Sequence, residues 1–138
     1  MGVVLSPDYR PSEDEPFMNE RQREYFRRRL IKWKEEILRE SKETLTNLAQ
    51  ETLSHADLAD RASTEAERAN ELRTRDRQRK LISKIDSALR RIEEGTYGFC
   101  EDTGDPISLR RLEARPIATL SIEAQERHEK RERVYRDD

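Results

Sequence analysis

One cysteine, two histidines and a pair of aspartates three residues apart are the side chains from which this sequence could build chemistry. Cys100 lies in a glycine-rich stretch, Thr96-Tyr97-Gly98-Phe99-Cys100-Glu101-Asp102-Thr103-Gly104-Asp105-Pro106-Ile107. A Cys-x-x-Cys…Cys-x-x-Cys pattern would make such a stretch a zinc knuckle, because structural zinc takes four sulfur or nitrogen donors in a tetrahedron. The corresponding places here hold Cys100 and Thr103, then Ser121 and Ala124. One thiolate does not hold a structural zinc. Of the imidazoles, His55 falls at the opposite end of the helical pattern from Cys100, and His128 alone adds too little. No metal is expected. Cys100 beside Phe99 reads first as a small half-buried residue and only second as a redox-sensing thiol. With a single cysteine there is no intrachain disulfide, which fits a reducing compartment.

The aspartates are Asp57 and Asp60, in Ser54-His55-Ala56-Asp57-Leu58-Ala59-Asp60-Arg61. Paired carboxylates can do general acid–base work when a pocket separates their pKa values. A loop tip offers no such pocket. The chain also lacks a glycine-rich phosphate loop, a nucleophile elbow and a His–carboxylate arrangement suited to catalysis. An enzyme is not expected.

The elements that would carry these residues are long helices. Of 138 residues, 42% are charged, 33% hydrophobic and 6% aromatic, and the mean hydropathy is −1.13. That apolar content is too small for a compact core of this length, but it suffices for a helical seam, where about two or three positions in seven are apolar. From Phe17 to Glu94 there is neither Gly nor Pro. Phe26, Leu30, Trp33, Ile37, Ser41, Thr44 or Leu45, Leu48 and Thr52 alternate at spacings of three and four. Ala62, Ala66, Ala69, Leu72 and Asp76 do the same, and later, after a longer step, so do Leu81 or Ile82, Ile85, Leu89 and Ile92. Asn19 and Gln22 resemble a capping box at the start, and Gly95 stands where a helix C′ glycine belongs. The seam lapses between 53 and 61, where Asp57 is placed to cap a second helix. The lapse favours an antiparallel hairpin, each arm about 33 residues and so about 50 Å long, over the alternative of one continuous helix pairing with another chain.

The expected fold class is mainly α: a long antiparallel coiled-coil helical hairpin, a small zinc-finger-like knuckle and a C-terminal helix. Residues 1–16, with Pro7, Pro11 and Pro16, read as a flexible arm. Residues 17–94 form the hairpin with its tip near 54–61, residues 95–120 the knuckle without metal, and residues 121–138 the last helix. Within the knuckle, Arg110 to Arg115 suit one helical turn stopped by Pro116. The last segment carries the i,i+4 pairs Glu126–Lys130, Glu129–Arg133 and Glu132–Arg136.

Charge divides along the hairpin. Residues 51–67 hold Glu51, Asp57, Asp60, Glu65 and Glu67 against Arg61. Residues 73–91 hold Arg73, Arg75, Arg77, Arg79, Lys80, Lys84, Arg90 and Arg91 against Asp76 and Asp86. An acidic tip stands on a basic stem. The whole chain, with 28 basic and 30 acidic residues, is near neutral, so direct DNA binding is not expected. No segment has the length and hydropathy of a signal peptide or a membrane span. Cytoplasm and a monomer are the expectations.

These residues resemble a known family. Asp57-Leu58-Ala59-Asp60-Arg61-Ala62 fits an Asp-x-x-Asp-x-Ala tip between two long helices. Leu72 to Ile85 is similar to that family's second helix. Tyr97-Gly98-Phe99-Cys100-Glu101 and Arg110-Arg111-Leu112-Glu113-Ala114-Arg115-Pro116 are similar to its knuckle. Together, over roughly residues 17–130, they resemble the DksA family of bacterial transcription regulators.

The resemblance implies a partner, RNA polymerase, whose secondary channel the coiled coil enters. It implies destabilised open promoter complexes and joint action with guanosine tetraphosphate (ppGpp) in the stringent response, including ribosomal RNA and amino-acid promoters. It places the polymerase-binding tip on Asp57, Asp60 and Ala62 and a polymerase contact on Arg77. It places the ppGpp site, shared with polymerase, on Leu81, Lys84 and Arg115. The family's four zinc cysteines fall on Cys100, Thr103, Ser121 and Ala124, and a basic residue often found after the last of them is Gln125 here. Without metal, the knuckle would rest on Tyr97, Phe99, Ile107, Leu109, Leu112 and Ile117. Two other readings differ in kind: a coiled-coil scaffold or adaptor with no polymerase role, and a relative of transcript-cleavage factors whose tip acids hold magnesium.

Overall fold

The computed structural model describes the backbone of residues 3–54 and 58–137, and their side chains except at 44, 47–54, 58–62 and 135–137. Four helices follow in order: α1 (Glu20–Ser54), α2 (Leu58–Glu94), α3 (Leu109–Ala114) and α4 (Ile122–Asp137). Among the described residues the only β-type pairing is an isolated antiparallel bridge between Phe99 and Pro106. The chain is mainly α, with two long helices; the expected tip falls partly outside the described residues. None of the described helices is long and apolar enough to cross a membrane.

Contacts divide the chain into two units, and α1 and α2 each run through both. The first holds the chain up to Leu30 and from Ser87 onward, the second Ile31–Asp86. In the second unit α1 and α2 run antiparallel. Lys34 Nζ meets Asp86 Oδ1 at 2.7 Å, and Ser41 Oγ donates to Gln78 Oε1 at 2.6 Å. Ile37 and Ile85 are buried there.

The apolar seam fades along α2 toward the tip. Leu72, Ala66 and Asp76, expected in the seam, are exposed, and so is Leu45 on α1. Glu71, Thr74, Arg75 and Gln78 are the half-buried positions instead. This is the same heptad displaced by about one residue. A seam made of polar side chains carries no hydropathy signal, so Leu72 indicates the wrong phase. Side-chain hydrogen bonding, as between Ser41 and Gln78, takes the place of apolar contact there.

The first unit holds the larger core. Phe26, Leu30, Ala88, Ile92, Tyr97, Ile107, Leu109, Leu112, Ile117, Ala118 and Ala124 are all buried. α2 ends as the sequence indicates: Gly95 has φ +81°, Thr96 N–H donates to Arg91 C=O at 2.9 Å and Gly95 N–H to Ile92 C=O at 3.3 Å. This is a Schellman closure, with glycine in the left-handed conformation that other residues avoid. At the other end Asn19 Oδ1 accepts from Gln22 N–H at 2.9 Å, the first half of a capping box. The second half is altered. Gln22 Oε1 accepts from Met18 N–H at 2.7 Å rather than from the capping residue itself.

The segment expected as a flexible arm is in contact with the rest of the first unit. Tyr9 stacks edge-on against Tyr25 at 6.0 Å, and Arg21 lies 4.6 Å above the Tyr9 ring. Tyr9 Oη donates to Glu15, whose carboxylate also accepts from Ser12 N–H at 3.1 Å. Partial burial pushes the Glu15 carboxyl up, but the hydrogen bonds, that of Tyr9 foremost, outweigh it and hold the pKa below its ordinary value. A carboxyl depressed in the folded state stabilises it above the unfolded pKa and ceases to do so as pH falls through the folded one. Acidification below about pH 4.3 is therefore expected to loosen this segment, seen as faster amide exchange at Glu15 and Asn19. Glu15→Gln is expected to flatten that acid limb. An unchanged limb in the variant would remove Glu15 from the account.

Candidate functional site

The expected site residues lie on different elements. Asp57 lies outside the described residues. Asp60 and Ala62 stand on the first turns of α2, which begins at Leu58. A carboxylate there is favoured by the positive end of the helix dipole. Arg77, Leu81 and Lys84 follow on α2 at i, i+4 and i+7, which puts them on one helix face. Arg77 and Lys84 are exposed and Leu81 is half-buried. Arg77 Nη2 donates to Thr74 Oγ1 at 3.2 Å, which orients the guanidinium along the helix.

Arg77 does not stand alone. Asn70, Arg73, Thr74, Asp76 and Lys80 line the same shallow groove. Arg73, Arg77 and Lys80 give it three cations against one carboxylate, a surface suited to an anionic partner. The sequence signal for Arg73 and Lys80 is the basic run from 73 to 91, which does not single them out.

Arg115 belongs to the first unit, whereas Leu81 and Lys84 belong to the second. It follows α3 directly and its N–H donates to Arg111 C=O at 2.7 Å. Ser108 caps the start of α3, its Oγ accepting from Arg111 N–H at 3.2 Å. Arg111 Nε in turn donates to Leu120 C=O at 2.8 Å.

The knuckle between α2 and α4 is a tight hairpin. Ile107 N–H donates to Gly98 C=O at 2.7 Å, Cys100 N–H to Asp105 C=O at 2.8 Å and Gly104 N–H to Cys100 C=O at 2.8 Å. It is tied to the chain that follows by Glu101 N–H to Thr119 C=O at 2.9 Å and by the buried Tyr97 hydroxyl to Pro116 C=O at 2.7 Å. At its turn, Asp102 Oδ2 lies 2.7 Å from His128 Nε2 on α4.

Cys100, only 2% exposed, is surrounded by Thr103 and Ser121. Burial pushes the thiol up, but hydrogen bonds to sulfur from the side chains and backbones of Thr103 and Ser121 bring it down to about 6. Ser121 Oγ also accepts from Ala124 N–H at 3.3 Å, and Ala124 is fully buried. So Thr103 and Ser121 converge on Cys100.

Two family models match with the order and boundaries of these parts. The N-terminal domain of the DnaK suppressor protein DksA matches residues 22–92, and the prokaryotic dksA/traR C4-type zinc finger matches residues 95–130. The RNA polymerase-binding transcription factor DksA of Caulobacter vibrioides is 73% identical over 136 residues, 99% of this chain and 96% of its own. The chain belongs to the DksA family. The DksA of Escherichia coli K12 is 42% identical over 125 residues, 91% of this chain and 83% of its own. The solved structure of transcription factor DksA2 from Pseudomonas aeruginosa superposes with a TM-score of 0.79 at 44% identity, covering 87% of this chain and 95% of that one.

A C4-type finger implies zinc, and the residues do not fit it. The four positions Cys100, Thr103, Ser121 and Ala124 offer one thiol, two hydroxyls and a methyl, where structural zinc takes four sulfur or nitrogen ligands. Among the described residues no group of three or more His, Cys, Asp or Glu is arranged to hold a metal. His128 is 2.7 Å from Asp102, and no second cysteine exists.

Proposed function

We propose that this chain is a transcription regulator that binds RNA polymerase through the secondary channel and destabilises open promoter complexes. In this reading it acts without catalysis of its own, in the cytoplasm, as a monomer and without direct DNA binding. The observation that carries it is the 73% identity, over nearly the whole of both chains, to a protein named for RNA polymerase binding. The parts suit the task. A helix of 35 residues is about 50 Å long and carries a tip into a channel that a globule cannot enter. Asp57, Asp60 and Ala62 are the proposed tip. Carboxylates there act on the electrostatics near a magnesium-bearing active centre, and Ala62 permits close approach.

Arg77, in its groove with Arg73 and Lys80, is the proposed polymerase contact on the stem. Leu81, Lys84 and Arg115 are proposed to meet ppGpp at the polymerase interface, the two cations pairing with its phosphates. Stringent control of ribosomal RNA and amino-acid promoters follows from that reading.

The test is binding to cognate RNA polymerase, by fluorescence anisotropy of the labelled full chain, with and without ppGpp, for wild type and Arg77→Ala. Wild type is expected to bind, and Arg77→Ala to bind about tenfold more weakly, the loss of one charge-assisted contact. No binding by wild type would leave the scaffold reading in its place.

A further inference from the structure

A zinc finger closes its loops with four bonds to one ion. In this chain the loops meet through hydrogen bonds around Cys100 instead, which are individually weak. Beyond its own core and the Tyr97–Pro116 and Glu101–Thr119 bonds, the first unit contains a further support for the knuckle hairpin.

Phe17 and Met18 lie against the first rung of that hairpin. The Phe17 and Phe99 rings meet edge-to-face at 5.4 Å and 83°. Gly98, with φ +91°, is approached so closely that a Cβ there would lie 3.0 Å from Met18 Cγ and 3.3 Å from Phe17 Cζ. Gly98 and Phe99 are the residues that pair with Ile107 and Pro106 across the hairpin. The two side chains therefore cover the backbone that forms the ladder.

They are themselves fixed from α1. Gln22 is fully buried. Its Oε1 accepts from Met18 N–H and its Nε2 donates to Ser12 C=O at 3.1 Å. A buried amide with both ends paired is costly to displace. Met18 holds φ +53°, the one non-glycine residue in that region among those described. This strained turn aims its side chain at Gly98 and is maintained by the Gln22 bond.

We propose that residues 9–19 form a strap, fixed by Gln22, that clamps the knuckle hairpin and stands in for the metal the finger has lost. Closing the hairpin in this chain then depends on Phe17 and Met18, and not on an ion.

The experiment is residue-resolved amide hydrogen exchange on the full chain, as wild type, Phe17→Ala and Gln22→Ala. It is run with and without EDTA and with added zinc, alongside metal analysis of the purified protein. Phe17→Ala removes the ring contact, and Gln22→Ala frees the Met18 turn. Both are expected to raise exchange at the Cys100 and Ile107 amides by about tenfold or more, while Ile85 to Ile92 keep wild-type rates. Zinc is expected below stoichiometric amounts, and EDTA and added zinc to leave every rate unchanged. Wild-type rates at Cys100 and Ile107 in either variant would overturn the strap. So would a rise spread equally over Ile85 to Ile92, which would report global unfolding, or stoichiometric zinc whose removal opens the hairpin.

Discussion

Asp60→Asn is expected to leave the chain bound to RNA polymerase and to remove its effect on the lifetime of open promoter complexes. Asp60 sits on the first turn of α2, which starts at Leu58. Asparagine keeps the shape of aspartate and its capacity to accept hydrogen bonds from free helix N–H groups. What it removes is a negative charge. In the proposed reading the tip lies near a magnesium-bearing centre, where charge is the property that matters because the ion dominates the local field. Affinity is expected to change by less than about twofold, since the stem surface at Arg73, Arg77 and Lys80 is untouched. The shortening of open-complex lifetime is expected to fall by about tenfold or more, an equivalent of about 1.4 kcal/mol.

The measurement is decay of competitor-resistant complexes at a ribosomal promoter with cognate polymerase, with and without ppGpp. Full activity in Asp60→Asn would remove the tip from the mechanism. Equal loss of binding and activity would make Asp60 a docking residue. A gain in RNA hydrolysis with wild type would point to the transcript-cleavage reading.

The largest loss of stability is expected from Phe26→Ala. Phe26 is fully buried in the first unit, between Tyr25 at 5.2 Å and 85° and Tyr97 at 5.6 Å and 48°. Truncating a buried Phe to Ala costs about 3–5 kcal/mol, because the lost transfer free energy is joined by that of the cavity. Native chains are stable by only about 5–15 kcal/mol, so this one residue accounts for a large share. The Tyr97 ring loses its neighbour, and with it the support for the Tyr97 hydroxyl bond to Pro116 C=O. Urea unfolding followed by circular dichroism measures the effect. Phe26→Leu, which refills most of the space, is expected to cost less than about 1.5 kcal/mol. A loss below about 1 kcal/mol for Phe26→Ala would show that the ring is not central to this core.

Much of the architecture is legible in the order of residues alone. The breaker-free run from Phe17 to Glu94 requires long helices, since no other element uses 78 such residues. Gly95 marks the end of α2, Pro116 closes off the short helix α3, and the lapse in the seam falls where α1 ends and α2 begins. These signals are local. Each depends on the conformational freedom of one residue or on a three-to-four spacing, and so survives without knowledge of distant partners. The convergence of Cys100, Thr103 and Ser121 is legible for a related reason, because its spacing follows a known ligand pattern.

Other features involve partners far apart along the chain, and no local pattern reveals them. Composition and three prolines describe residues 1–16 as an arm. The Tyr9–Tyr25 contact and the hydrogen bond from Gln22 Nε2 to Ser12 C=O instead join that segment to α1. The phase of α2 near Leu72 is hidden because polar seam residues look like solvent-facing ones until their partners are seen. The helices, their ends and the single-cysteine knuckle follow from backbone freedom and donor chemistry, which each residue carries with it. Which polar residues are buried, and which side chains lie against the knuckle, is decided only by the fold, because burial belongs to pairs that the chain's return brings together.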